Sequence, residues 1–377
     1  MELKKGIRSF NVTGKLRLTN NTFNIDKQKE GSNYVYSNAS LSLDCGSGNV
    51  FCNIVGGHFK TGENVIYALG TKIEDGKVKT DYKKSLRIPF EKRFDEDTLK
   101  TVANDSFTFV NIEKDSDGNL ISKKFLAKED AIKYLQGTLE DGMVLNVLGD
   151  ISFRVADDGR TLFTLNIKRV YLNEKPNPTF HANFTMAVVT DKDCYDSAQS
   201  IDENGYVNVD CYVAEYMKSY RGLEKAVVPL PFSFAMDTKA NTNWKSVITN
   251  FFRPQNNFLA ETTIEGYIAS VGNTQEVTMD DIPDDVKQLV ELGLISKEEL
   301  ASIGTNNNSL VQKLVFTRPN VIIKDGGMVI MSNKEKYDTT ILEFENQNSK
   351  KATAETKPVA KSEEKTSNEL FAELFGD

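Results

Sequence analysis

The sequence predicts a mainly β chain: two small five-stranded barrels in tandem with short helices and a disordered, acidic-tipped C-terminal tail. Three observations lead there. Strand-period alternation runs through most of residues 1–271, a helix followed by a glycine-centred strand occurs twice, and the last thirty or so residues lose both patterns. The 377 residues, 39% hydrophobic and 27% charged, suit two domains or three and supply enough apolar matter for real cores.

Alternating, β-branched or aromatic runs mark strands at 7–18, 34–43, 65–69, 161–172, 180–189 and 206–216. Turn signals separate them: Gly46-Ser47-Gly48, Asp117-Gly118, Asp157-Asp158-Gly159, Asn204-Gly205 and Asp325-Gly326. Helical spacing appears at 128–139, through Ala131, Ile132, Leu135 and Leu139, and at 244–252, through Trp244, Val247, Ile248, Phe251 and Phe252. A third stretch, 284–303, predicts two short helices, the second capped by Ser296 with Glu299 three residues on.

These pieces repeat. Gly149 lies in a strand after the first helix and Gly266 in one after the second, 117 positions apart. Upstream, Leu41–Cys45 is echoed by Val207–Cys211, and Leu86–Phe90 by Val228–Phe232. The expected units are therefore 1–172, with a basic N-terminal part, and 173–345, with a helical insertion near 280–305. A glycine inside a strand marks the bend a small barrel needs to turn its corner. Five strands with a helix between the third and fourth are the OB-fold arrangement, although the same alternation would also support a β-sandwich.

Composition excludes several chemistries. No run of about 18 apolar residues exists to span a membrane, and the N-terminus lacks an apolar signal core, so an intracellular protein is expected. The four cysteines contain no CxxC pair and the only histidines are His58 and His181, so no zinc site is predicted. Cys45 and Cys52 flank a glycine turn, where a disulfide is conceivable, but free thiols are expected in a reducing cytosol. Asp115–Asn119 begins like a calcium loop, yet Leu126 stands where a bidentate Glu belongs, so a hairpin turn is the reading. No phosphate-binding loop or nucleophile elbow appears, no cofactor is expected, and a non-enzyme is predicted.

Charge is sorted along the chain. The net value is −8, yet residues 1–93 carry 16 Lys/Arg against 9 Asp/Glu, while 272–303 carry 8 acids against 2 lysines. A cationic surface is thus possible on an acidic protein. Single-stranded nucleic acid is held by aromatic faces that stack on bases and by cations that track phosphates. Tyr beside Lys or Arg on a strand offers both, which singles out Lys4, Lys5, Arg8, Lys15, Arg17, Tyr34, Tyr36, Lys60, Lys83, Lys84 and Arg87 in the first half. In the second half it singles out Tyr212, Tyr216, Lys218, Tyr220 and Arg221, with Tyr212 and Tyr216 on one strand face as a two-base platform.

Residues 346–367 are rich in Lys, Glu, Thr, Ala and Ser and read as a flexible linker. The chain then ends in a tip carrying Leu370, Phe371, Glu373, Leu374, Phe375 and Asp377, expected to be a tethered peptide for a partner or for the body's own basic groove. On the glycine-centred strands at Gly14, Gly149 and Gly266, the helices before the latter two, and this linker and tip, the chain resembles a bacteriophage-type single-stranded DNA-binding protein of the OB-fold family. The resemblance covers the architecture but contains no diagnostic motif. It implies non-specific coating of single-stranded DNA in replication or recombination, a tip that recruits other replication and recombination proteins, a monomer or dimer, and a host-cytoplasmic location. The tip is less acidic than the bacterial pattern and ends in Gly-Asp. The alternatives are a phage tail or baseplate component, and a metal-dependent nucleic-acid enzyme.

Overall fold

The computed structural model describes residues 2–46, 48–198, 200–202, 204–271, 311–324 and 326–342. The expected helices at 284–303, the linker and the tip lie outside them, as do Ser47 and Asp325 of two turn signals.

In the first half the strands are β1 (Arg8–Arg17), β2 (Phe23–Gln28), β3 (Tyr34–Asp44), β4 (Asn49–Phe59), β5 (Val65–Glu74), β6 (Lys77–Pro89), β7 (Thr108–Asn111), β8 (Lys123–Phe125), β9 (Val144–Val155) and β10 (Thr161–Leu172). Helices α1 (Glu96–Thr101) and α2 (Lys128–Thr138) lie between β6 and β7 and between β8 and β9. Five strands close a ring: β1 pairs with β3, β3 with β4, β4 parallel with β10, β10 with β9, and β9 with β1. Alternation explains which faces point inward. Val35, Ala39, Leu41 and Leu43 are buried while Tyr34, Tyr36, Asn38, Ser40 and Ser42 face out. Ala131, Ile132 and Leu135 of α2 bury against the barrel as the helical spacing predicts.

The second half repeats the plan with β11 (His181–Thr190), β12 (Tyr206–Tyr220), β13 (Leu223–Asp237), β14 (Phe258–Val271) and β15 (Val311–Pro319), followed by β16 (Val321–Lys324), β17 (Gly327–Ile330) and β18 (Ser332–Asp338). Helices α3 (Cys194–Ser197) and α4 (Trp244–Val247) are short, and α4 continues as a π turn through Phe252. The ring closes in the same order, β11-β12-β13-β15-β14, again with one parallel pair, β13 to β15. Both halves are thus closed five-stranded barrels of OB connectivity, with a helix before the fourth strand.

The barrels join edge to edge. β1 runs antiparallel to β11 from Arg8↔Met186 to Thr13↔His181, so one sheet crosses from barrel to barrel and a single core runs through both. Four residues past each strand-four glycine the chain reaches the other barrel. Phe153 packs edge-on against Phe232 of β13, and the Ser270 hydroxyl donates to the Asn49 carbonyl of β4.

Two local expectations change. Leu86–Phe90 does not mirror Val228–Phe232: Leu86–Pro89 end β6, which pairs with β5 in a long arm inserted between β4 and α1, and Phe90 opens the turn after it, whereas Val228 sits in barrel strand β13. Cys52 stands opposite Leu41 rather than Cys45, because Cys45 lies past the end of β3. All four thiols are free and buried, and burial pushes Cys45 and Cys194 up to about 12.

Candidate nucleic-acid interface

The outer face of β3 and β4 carries the first aromatic group. Tyr34 stands opposite Phe59, and their rings meet edge to face at 5.0 Å. Gly57 is required beside them, since a Cβ there would run into the Val35 carbonyl oxygen and lie 2.8 Å from the Tyr34 hydroxyl. Tyr36 and Phe51 share the face, with Phe51 eight residues from Phe59, or about 27 Å at strand rise.

From this edge the β5–β6 arm departs. Asn64 fastens its root, accepting from the Phe59 amide and donating to the Phe59 carbonyl, both at 2.7 Å. Ala68, Ile88, Val102, Phe107 and Leu126 form a satellite core beneath its base. Beyond that base Gly70 bridges to Val102 and Thr80 donates to Asp105 at 2.8 Å, while most other side chains of the arm are exposed. Tyr67 is 55% exposed opposite Arg87, and a bulge between Leu69 and Gly70 throws out Tyr82, Lys83 and Lys84. Tyr82, 76% exposed, donates from its hydroxyl to Asp105 at 3.1 Å, which steadies the ring and raises its pKa. Arg87 pairs with Glu63 at 2.9 Å in the open, where such a pair is weak and a phosphate can replace it. Lys83 and Lys84 enter no ion pair among the described residues. Lys60, at the end of β4, donates to Gln28.

At the other end of the face, Phe51 borders a cleft of about 660 Å³ between the barrels, with Arg154, Arg160 and Leu162 of the β9–β10 hairpin and Lys313 of β15. Arg160 is tied to Asp158 at 2.6 Å and Lys313 to Asp202 at 2.9 Å. Arg154 and Arg160 did not stand out in the sequence because neither has a Tyr neighbour. Their placement depends on the hairpin reaching across.

The remaining sequence candidates do not gather with this set. Arg8 is buried, on the inner side of β1, and donates to Glu215 at 2.5 Å; it belongs to the core, not to a phosphate-tracking surface. Lys5 reaches the same carboxylate at 2.8 Å, which also accepts the Phe153 and Tyr216 amides at 3.1 and 3.0 Å. Burial alone would raise the Glu215 pKa, but Lys5 and Arg8 outweigh it and hold it below the usual range. Lys4 is exposed in a segment that Leu3 anchors against Tyr337 on the second barrel. Lys15 and Arg17 lie exposed on β1, with Arg17 tied to Asp44 at 2.5 Å. Lys218, Tyr220 and Arg221 form the β12–β13 hairpin end, where Arg221 lies 5.3 Å over the Tyr220 ring.

The two-base platform divides. Tyr216 is 49% exposed, but Tyr212 is half-buried and donates to Asp191 at 3.2 Å. Burial, with Asp191 adding to it, pushes its hydroxyl up to about 12. Asp191, Asp193 and Asp210 line the cavity beside it against one cation, Arg160, which Asp158 already engages, a net acidic setting that disfavours phosphate. The parallel closures align Asn53 with Ala235, so Phe51 corresponds to Ser233 and Ser42 to Asp210. The second barrel therefore presents small and acidic groups where the first presents an aromatic ring and a hydroxyl. Among the described residues no cluster of metal-ligating side chains exists, and no helix is long and apolar enough to cross a membrane.

Neither a family model nor a curated protein matches the chain. Among solved structures it is similar to a deletion mutant of the single-stranded DNA binding protein from Thermus aquaticus, with TM-score 0.33 and 8% identity over 85% of this chain and 97% of that one. It is also similar to the wild-type form of that protein, with TM-score 0.30 and 9% identity over 71% and 87%. Overlays this loose carry no argument about the ligand, and the interface stands on its own geometry.

Proposed function

We propose that the chain is a sequence-non-specific single-stranded DNA-binding protein whose first barrel does the binding. One observation carries this: the outer β3–β4 face presents Tyr34 and Phe59, and the arm that leaves it presents Tyr67, Arg87, Lys84, Lys83 and Tyr82, aromatic rings interleaved with cations. Stacking on such rings suits any base, and the cations read only the phosphates, so this set supports affinity without sequence choice. It acts by coating and protecting strands in phage-type replication or recombination, without catalysis, as a monomer or dimer in the cytoplasm. Its units are 1–172 and 173–345, the second serving mainly as a brace, and the tip, through Leu370, Phe371, Glu373, Leu374, Phe375 and Asp377, recruits other replication proteins.

The test is fluorescence anisotropy of a labelled thymidine oligonucleotide with the full chain, across a salt series and beside a blunt duplex. The expected result is single-strand preference, with a slope of log K against log salt of roughly −0.7 per phosphate neutralised. No single-strand binding at low salt would overturn the reading.

A further inference from the structure

The arm ends in something stacking and charge do not explain. Ile73 and Val78 stand directly opposite each other, 80% and 72% exposed, one pair below a tight turn in which Asp75 and Gly76 both take positive φ. Along β5, alternation places Ile73, and with it the paired Val78, on the same face as Tyr67, six residues farther out or about 20 Å, while β6 reaches Val78 from Arg87 through the three extra residues of the bulge. Strand tips in water are ordinarily polar; here Lys72 and Lys79 each bridge to Glu74 at 3.3 Å on the opposite face, and Val78 borders a shallow cavity with Leu99 and Lys100 of α1.

We infer that this apolar pair recognises the junction between single- and double-stranded nucleic acid, capping or wedging the terminal base pair while Tyr67 and Arg87 hold the strand that leaves it. The inference rests on the proposed single-strand binding. Two arguments select this occupant. The arm carries six Lys or Arg against three Asp or Glu between residues 65 and 89, so its partner is anionic. Two aliphatic side chains also fall far short of the roughly 800 Å² per partner that a stable protein interface needs. They are the right size for a base-step wedge, the use that architectural DNA-binding proteins make of Ile, Leu and Met. The β16–β17 hairpin supplies an internal control: Ile323 and Met328 also face each other in the open, and among the described residues of that hairpin Lys324 is the one charged group.

The experiment compares the full chain on three labelled probes: a thymidine strand, a forked duplex with single-stranded arms of that same length, and a blunt duplex. The wild type is expected to favour the fork over the plain strand by roughly ten-fold, the factor that burying one aliphatic side chain supports. I73T/V78T keeps β-branched shape and strand propensity, so the arm stays folded. It should bind the plain strand like the wild type and lose the fork preference, while I323T/M328T retains it. Equal wild-type affinity for fork and strand, or a preference that survives in I73T/V78T, overturns the inference and leaves single-strand binding intact. Absence of plain-strand binding instead removes the reading beneath it.

Discussion

Phe10 and Phe184 face each other across the β1–β11 seam, and each ring lies over the glycine of its own barrel's fourth strand, Gly149 or Gly266. A Cβ on either glycine would sit 2.8 Å from the ring edge and under 2 Å from a backbone oxygen of the fifth strand, Asn166 or Val315. The same steric arrangement at both sites marks a pseudo-twofold axis through the seam. G149A and G266A should therefore destabilise to a similar degree, by about 3 kcal/mol each, the upper range for overpacking a core. Thermal denaturation checks this. A tolerant Gly266 beside an intolerant Gly149 would show that the two corners are not equivalent.

The Arg8–Glu215 pair ties the first strand of one barrel to the second strand of the other, 207 residues apart. Removing one partner of a buried pair leaves an uncompensated charge, at a cost of about 3–5 kcal/mol. Because the folded Glu215 is held below its ordinary value of 4.5, its contribution is present above that pH and fades as pH falls through the folded value. E215Q should thus be much less stable than wild type at pH 7, and the gap should narrow below about pH 4.5. Denaturant melts of both proteins across pH 3–8 read the difference. A gap independent of pH would assign the effect to packing.

That pair also shows what the sequence could and could not display. Strand faces and the two helices were legible because alternation and helical spacing are local. The duplication was legible because barrel corners demand glycine, and Gly149 and Gly266 do correspond. The Leu41 and Val207 echo falls on equivalent strands, but the closed registers set Leu41 against Val209, two residues along on the same face. Charge was less legible, because the role of a cation depends on its partner. Nothing near Arg8 announces a carboxylate in the other barrel, and nothing near Tyr212 announces Asp191 just past the end of β11. The arm was hidden for a related reason: its strands looked like barrel strands, and only the pairing of β5 with β6 alone separates them.

Tyr212 and Tyr216 should separate in experiment as they do in space. Y212A removes a half-buried ring that packs beside Val189, Ala214 and Leu259 and frees Asp191, so it should cost about 2 kcal/mol of stability. Y216A should stay within about 0.5 kcal/mol. Neither should weaken single-strand binding more than slightly, given the acidic lining. Paired melting and anisotropy measurements decide. A large binding loss in Y212A with an unchanged melt would restore the platform.

The arm should account for the affinity. Tyr82 projects from a bulge with only its hydroxyl engaged, so Y82F should bind like wild type, since the ring and not the hydroxyl meets the base. Y82A should lose on the order of 1–3 kcal/mol of binding, the contribution of one stacked base. K83A/K84A should act differently, lowering the slope of log K against log salt by roughly 1.4, or 0.7 for each phosphate released. These changes lie outside the barrel and its satellite core, so the melting temperature should hold. The two signatures are separable in one salt series: stacking loss shifts the line downward, and charge loss tilts it. Variants that leave both slope and intercept unchanged would move the binding surface off the arm and toward the Arg154–Arg160 cleft, where R154A would then be the variant to lose affinity.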